Sequence, residues 1–69
     1  MPEITINGDK KNVSGGSITS LLEAEKIPSE HWKAMAVARN GQVIPKAEWA
    51  STQINAGDRI EIVKPFVGG

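Results

Sequence analysis

The last two residues of the sequence, Gly68 and Gly69, present a group that another enzyme can use: an α-carboxylate on backbone without side chains. Glycine accepts almost any backbone angle, so such a tail can pass through a narrow tunnel. A carboxylate delivered there can be adenylated by ATP, and a sulfur or nitrogen nucleophile can attack the resulting mixed anhydride. The same two glycines are also what a frayed chain end contains, so their meaning depends on the residues before them.

Those preceding residues favour a projecting tail. Pro65 lacks an N–H group and ends any strand before it. Phe66 and Val67 then offer an apolar grip, and the two glycines follow. We therefore predict that Phe66, Val67, Gly68 and Gly69 thread into partner proteins, and that Gly69 is the residue modified.

The side chains do not assemble a catalytic group. An enzyme site needs converging residues, such as a nucleophile with a base and an orienting partner. The sequence has one histidine, His31, and no cysteine, so thiolate chemistry is absent and no metal-ligand spacing is visible. Gly15-Gly16 lacks the lysine and the further glycine of a phosphate-binding loop, and fits a turn. We expect no catalytic residue, no metal site and no bound cofactor, and we expect the chain to be a co-substrate of an activating enzyme and not itself an enzyme.

Length and charge restrict the possible functions further. A domain of about 60 residues buries only about 60% of its unfolded surface, so 69 residues make one domain. Eight basic and eight acidic residues cancel, which leaves no electrostatic basis for binding nucleic acid. No apolar run approaches the roughly 20 residues that span a bilayer, and no secretion signal is visible. We expect a cytoplasmic protein without membrane contact, monomeric when free.

Turn-forming residues divide the chain into five short strands. Asn7-Gly8 and Asn40-Gly41 supply the positive φ values that tight hairpin turns require. Pro45 closes the fourth strand and Pro65 the fifth. The predicted strands are Glu3-Ile4-Thr5-Ile6-Asn7, Lys11-Asn12-Val13, Met35-Ala36-Val37-Ala38-Arg39, Gln42-Val43-Ile44 and Arg59-Ile60-Glu61-Ile62-Val63.

One helix is predicted between the two hairpins. Ser17 is a plausible N-cap, and the helix should end near Lys26 because Pro28 prevents its continuation. A polar connector over residues 28–33 follows. Residues 46–55 should form a short helical turn and loop whose large side chains, Trp49 and Ile54, cover the sheet edge.

A hairpin, a helix, a second hairpin, an irregular segment and a last strand fit one α+β architecture. One helix covers five short strands only by lying across one face of a single mixed sheet, which is the β-grasp, or ubiquitin-like, fold. We predict one β-grasp domain over residues 1–65 and a flexible tail over residues 66–69. The core between helix and sheet should contain Ile4, Ile6, Leu21, Leu22, Ile60 and Ile62.

Several segments, taken together, have the pattern of a known family. They are Ile4-Thr5-Ile6-Asn7-Gly8, Ile18-Thr19-Ser20-Leu21-Leu22, Val37-Ala38-Arg39-Asn40-Gly41-Gln42-Val43-Ile44-Pro45-Lys46, Glu48-Trp49, Gly57-Asp58-Arg59-Ile60-Glu61-Ile62-Val63 and Gly68-Gly69. They resemble the ThiS family of ubiquitin-like sulfur carriers, over nearly the whole chain. The connector over residues 26–33, with Pro28 and Trp32, is longer than the family pattern.

The resemblance implies a sulfur-transfer cycle. A ThiF-type activating enzyme would adenylate the Gly69 carboxylate with ATP and magnesium. Sulfur from a cysteine desulfurase would convert it to a thiocarboxylate. Thiazole synthase would then take that sulfur for the thiazole ring of thiamin.

Two alternatives remain open at this stage. The same fold and tail serve the small subunit of molybdopterin synthase and carriers for tRNA thiolation or cysteine synthesis. A β-grasp interaction module would instead use its sheet for docking, and its terminal glycines would carry no chemistry. Such a module should tolerate residues added after Gly69, whereas a sulfur carrier should not.

Overall fold

A computed structural model describes residues 3–64 of the chain. The predicted domain boundary at residue 65, and the predicted flexible tail at residues 66–69, lie outside this range and stay predictions. In chain order the strands and helices are β1 (Glu3–Ile6), β2 (Asp9–Asn12), α1 (Ile18–Ala24), a first 3-10 helix (Ser29–Ala34), β3 (Ala36–Arg39), β4 (Gln42–Val43), a second 3-10 helix (Lys46–Glu48) and β5 (Arg59–Val63).

The described strands form one mixed sheet in the order β2-β1-β5-β3-β4. The last strand lies in the centre, parallel to β1 and antiparallel to β3. The predicted bounds of β5 are confirmed, and its burial alternates strictly along Arg59–Val63. The β-grasp fold predicted from the element order is therefore confirmed.

Both predicted hairpin turns are present. Asn7 and Gly8 have φ angles of 51° and 90°, and Asn40 and Gly41 have 53° and 84°. Positive φ at both central residues is the geometry that matches the right-handed twist of the flanking strands. The two turns join β1 to β2 and β3 to β4 in antiparallel register.

The helix begins as predicted and ends earlier. Ser17 is the N-cap, and its hydroxyl accepts a hydrogen bond from the Ser20 N–H at 3.3 Å. The last helical residue is Ala24, where a stop near Lys26 was expected. The cause lies before Pro28: Lys26 adopts a left-handed φ of 62°, and the Ile27 N–H donates to the Leu22 carbonyl at 3.1 Å. This is a Schellman ending with lysine in place of the usual glycine.

One apolar core fills the space between α1 and the sheet. All six residues predicted for it are buried in a single cluster, so that prediction is confirmed. Trp49 and Ile54, expected at the sheet edge, lie in the same cluster. The complete set of buried apolar residues is Ile4, Ile6, Ile18, Leu21, Leu22, Met35, Val37, Trp49, Ile54, Ile60 and Ile62.

The polar connector after α1 is ordered as the 3-10 helix Ser29–Ala34. Its half-buried Trp32 donates through Nε1 to the Ile27 carbonyl at 3.1 Å. The Trp32 ring also meets Trp49 edge-on, with centroids 6.4 Å apart. The indole ring thus closes one side of the core, which polarity alone did not predict.

Candidate functional site

The predicted site residues Phe66, Val67, Gly68 and Gly69 lie outside the described residues. What the structure defines is the platform from which this segment continues. The chain passes along β5 to Val63 and then to Lys64, the last described residue. The described part of the site is therefore β5 with its neighbouring strands, β1 and β3.

The central strand is fixed by burial on one face and by a strand on each edge. Ile60 and Ile62 point into the core, and they are 0% and 7% exposed. Residues Thr5 and Ile6 of β1 pair with Arg59 and Ile60 on one side. On the other side, β3 pairs with β5 in antiparallel register, from Arg39 opposite Ile60 to Ala36 opposite Val63. Residues 65–69 thus follow the central strand of the sheet in the chain.

A buried carboxylate fixes the start of this strand. Asp58 accepts hydrogen bonds from Arg39 Nε at 2.9 Å, Asn40 Nδ2 at 3.1 Å and the Asn55 N–H at 2.8 Å. Burial by itself would raise the pKa of Asp58, but hydrogen bonds from Asn55, Asn40 and Arg39 and the charge of Arg39 outweigh it, and the pKa is lowered. Asp58 is therefore ionised at neutral pH and joins the β3–β4 turn to β5.

The sheet face away from α1 carries a few apolar residues beside Glu61, which lies opposite Ala38. Val43 and Val63 are the largest of these apolar residues, 68% and 58% exposed. They lie on this face with Ala36 and Ala38, because Ala36 is opposite Val63 and Ala38 is opposite Val43 in the strand register. We call these four residues the open-face patch. Only Lys64 separates Val63 from residues 65–69, which we call the terminal segment.

No side-chain constellation for catalysis or metal binding emerges among residues 3–64. No group of three or more His, Asp or Glu residues in this range could hold a metal ion. His31 lies on the first 3-10 helix, away from the terminal segment in the sequence. An open depression of about 300 Å³ lies between the loop at Ser14 and Gly15 and helix α1. No helix among the described residues is long and apolar enough to cross a bilayer.

Of three side chains with clear structural roles, Asn7 and Asn40 were recognised in the sequence as turn residues, and Asp58 as part of the family pattern. Asp58, Asn7 and Asn40 all stand in or beside turns, and turn chemistry alone explains their residue types. Their long-range hydrogen bonds to or near β5 depend on which strands are neighbours. The sequence carried no signal for that order.

The fold and the platform define the class: a β-grasp domain whose central last strand leads into the chain terminus. A solved structure of a thiamine biosynthesis protein (ThiS) from Geobacter metallireducens matches with a TM-score of 0.79 and 27% identity, covering 97% of this chain and 99% of that one. An NMR structure of a thiamine biosynthesis protein from the same organism matches with a TM-score of 0.75 and 28% identity, covering 97% and 86%.

A sequence model of the ThiS family matches residues 4–69, so the chain belongs to the ThiS family. The resemblance noted in the sequence is thereby confirmed. A thiazole synthase from Paramagnetospirillum magneticum (strain ATCC 700264 / AMB-1) is 35% identical over 68 residues. That similarity covers 97% of this chain and 20% of the relative, so the chain spans about a fifth of the length of this curated protein.

Proposed function

We propose that this chain is a sulfur carrier whose Gly69 carboxylate is adenylated and converted to a thiocarboxylate. The observation that carries the proposal is the ThiS-family match over residues 4–69, which includes Gly68 and Gly69. The structure adds a platform suited to the task, because β5 leads from the centre of the sheet into that segment. The chain supplies a carboxylate on a compact support and acts as co-substrate of its partner enzymes.

The chemistry proceeds in successive steps at the terminal carboxyl group. The Gly69 carboxylate attacks the α-phosphorus of ATP, and pyrophosphate leaves. A persulfide formed by a cysteine desulfurase then attacks the acyl carbon, and AMP leaves. A second thiol of a partner protein attacks the resulting acyl disulfide, which releases the thiocarboxylate and leaves a disulfide between the two partner sulfurs. ATP and magnesium belong to the ThiF-type activating enzyme. The thiocarboxylate is a better nucleophile than a carboxylate and remains attached to a small portable domain.

Thiazole synthase is the proposed sulfur acceptor. The support is the curated thiazole synthase that contains a segment 35% identical to this chain within a much longer sequence. A carrier-like segment within a synthase chain fits a carrier and a synthase that act together. We therefore place this chain in the formation of the thiazole ring of thiamin, ahead of molybdopterin, tRNA thiolation or cysteine synthesis.

The open-face patch is the surface we assign to contact with the activating enzyme. Residues 65–69, fully extended, reach at most about 18 Å, so the enzyme must lie against the end of the sheet at which β5 finishes. Val63 is at that end and is 58% exposed. Burial of a valine side chain stabilises a complex by about 1.5–3 kcal/mol. Contact here would hold the domain while the terminal glycines enter the active site.

The proposal is tested by ATP–pyrophosphate exchange with a ThiF-type enzyme. An alanine appended after Gly69 moves the carboxylate by about 3.3–3.6 Å, whereas in-line attack needs reacting atoms within about 3–3.5 Å. We expect the extended protein and a Gly69 deletion to be inactive while their circular dichroism spectra match the parent. Gly68→Val should also fail, because a β-branched side chain cannot enter a passage fitted to backbone. Equal exchange from the alanine-extended protein would show that Gly69 is not the site, whereas no exchange from the parent would favour an interaction module.

A further inference from the structure

The side-chain amide of Asn7 holds the last strand close to its end. Asn7 Oδ1 accepts a hydrogen bond from the Ile62 N–H at 2.9 Å, and Asn7 Nδ2 donates to the Ile62 carbonyl at 3.2 Å. Both polar groups of one residue in β5 are thus bound by a single side chain that is 55 positions away in sequence. We call this pair of hydrogen bonds the Asn7 clasp.

The clasp continues the ladder between β1 and β5 beyond the end of β1. The Thr5 N–H donates to the Asp58 carbonyl at 3.0 Å, and the Asn7 N–H donates to the Ile60 carbonyl at 2.9 Å. The next donor in this series should reach the Ile62 carbonyl, but the backbone turns away at Asn7 and Gly8 with positive φ. The Asn7 side chain takes the place of the missing backbone. It therefore extends the pairing of β5 by one further residue.

The position of this extra pair gives it a functional consequence. Ile62 lies opposite Val37 of β3 in the strand register, its own N–H and carbonyl groups both face Asn7, and only Val63 and Lys64 separate it from residue 65. We propose that Asn7 is a positioning residue for sulfur loading: its clasp fixes the direction in which the chain leaves the sheet toward the activating enzyme. This inference rests on the function proposed above and adds a residue to it.

The expected kinetic effect is on binding and not on chemistry. Without the clasp the end of β5 loses its bonds to the β1 side, and the root of the terminal segment samples more directions. Entry into the enzyme then requires a greater loss of conformational freedom, while the bound carboxylate reacts in unchanged geometry. We expect KM for the carrier to rise about threefold to tenfold, the range that one net hydrogen bond corresponds to, with kcat nearly unchanged.

The second Asn-Gly turn supplies a matched control. Asn40 also has positive φ, and its Oδ1 accepts a hydrogen bond from the Arg59 N–H at 2.8 Å. It thus binds the same strand by the same kind of group, but at the end remote from the terminal segment. Asn7→Gly and Asn40→Gly each keep a residue suited to positive φ and remove the side-chain bonds. Asn40→Gly also removes the Nδ2 donor to the buried Asp58, so its cost in stability should be at least as large as that of Asn7→Gly. A rise of KM in Asn7→Gly alone therefore reports the location of the clasp and not a general loss of stability.

The test measures ATP–pyrophosphate exchange against carrier concentration for the parent and both variants, at a temperature where all are folded. A higher KM for Asn7→Gly, with kcat kept and Asn40→Gly close to the parent, supports the inference. Equal KM values for the two variants would overturn it. For Asn7→Asp, which keeps an acceptor for the Ile62 N–H, KM should lie between the values of the parent and of Asn7→Gly. This variant replaces Asn7→Gly in the test if the glycine variant folds poorly.

A second readout separates this inference from the proposed function. Amide hydrogen exchange at Ile62 should be faster in Asn7→Gly than in the parent or in Asn40→Gly, whether or not the carrier is adenylated. Equal protection of the Ile62 amide in Asn7→Gly and the parent would contradict the clasp itself. If the parent shows no ATP–pyrophosphate exchange but the Ile62 amide exchanges faster in Asn7→Gly, the clasp is supported and only the proposed adenylation is contradicted.

Discussion

Asp58 Oδ2 and Arg39 Nε form a hydrogen-bonded ion pair at 2.9 Å that links the residue before β5 to the last residue of β3. The Asp58 side chain is buried, while the Arg39 side chain keeps 28% of its surface exposed. The guanidinium therefore remains partly hydrated, and the carboxylate is compensated by three donors. A buried carboxylate with this many partners stabilises the fold only while it is ionised.

Stability should consequently depend on the ionisation of Asp58. The pKa of Asp58 is lowered in the folded state, against about 3.9 for an unperturbed aspartate. Its contribution is complete above the unfolded value and is lost as pH falls through the folded value. We expect Asp58→Asn to lower the free energy of unfolding by about 1–3 kcal/mol at pH 7. That difference should shrink below about pH 4.

Urea denaturation at several pH values measures this effect. Asp9→Asn, at an exposed position of β2, removes a carboxylate without such partners and serves as the charge control. A cost for Asp58→Asn that is constant from neutral to acid pH would show that ionisation of Asp58 does not stabilise the fold.

Lys26 should be replaceable by glycine with a gain in stability. Its left-handed φ of 62° costs an ordinary L-residue about 1–2 kcal/mol, and glycine avoids that cost. Part of the gain is offset because glycine has more freedom in the unfolded chain, so we expect Lys26→Gly to stabilise by about 1 kcal/mol. Lys26→Ala removes the same charge but keeps Cβ. In thermal denaturation, the midpoint of Lys26→Gly should be higher than that of the parent, and the midpoint of Lys26→Ala should not. An equal rise for both variants would show that the effect comes from loss of the charge.

Truncation of the buried leucine side chains of α1 should be costly. Leu22 is 0% and Leu21 is 3% exposed, and both pack between α1 and the sheet. Leu22→Ala or Leu21→Ala should each lower the free energy of unfolding by about 2–5 kcal/mol, enough to threaten so small a domain. Glu23→Ala, on the exposed side of the same helix, should change it little. If denaturant titrations show no decrease in the free energy of unfolding for either leucine variant, α1 does not contribute to the core.

A charge in the open-face patch should weaken recognition by the activating enzyme. Val63→Asp leaves the fold intact because the side chain is largely exposed, but it makes burial against a partner unfavourable. We expect kcat/KM in the exchange assay to fall about tenfold, equal to about 1.4 kcal/mol. Ala50→Asp introduces the same charge at another exposed position, in the segment after β4, and should have little effect. Equal losses from both would indicate a general effect of charge.

Local sequence signals predicted those parts of the fold that depend on neighbouring residues. The two Asn-Gly turns, the Ser17 cap and the alternation along Arg59–Val63 each follow from short-range geometry, and all are present. The sequence placed the end of α1 near Lys26 because Pro28 is a recognisable stop signal. The helix ends earlier because Lys26 is left-handed, and a lysine does not indicate that conformation in the sequence. Trp32 was placed in a polar connector because its neighbours are polar, and its contact with Trp49 was not visible.

The rest of the platform depends on strand order, which the residue pattern does not contain. Asp58 meets Arg39 only because β5 lies beside β3, and Asn7 meets Ile62 only because β5 also lies beside β1. The open-face patch likewise required the register that places Val63 opposite Ala36. The roles of Phe66, Val67, Gly68 and Gly69 stay predictions, since these residues lie outside the described range.

The intact mass of the protein recovered from its native cell tests the central claim most directly. Thiocarboxylation replaces one oxygen of the terminal carboxylate by sulfur, a mass change close to that of methionine oxidation, and the chain has two methionines. Fragmentation of the intact ion must therefore locate the change. Since the chain has no cysteine, a thiol-selective alkylating reagent provides a second label for the same group. We predict a fraction of molecules with one sulfur in place of oxygen at Gly69 and a single alkylation there; a native protein in which no molecule carries sulfur at Gly69, or in which further residues follow Gly69, would contradict the account.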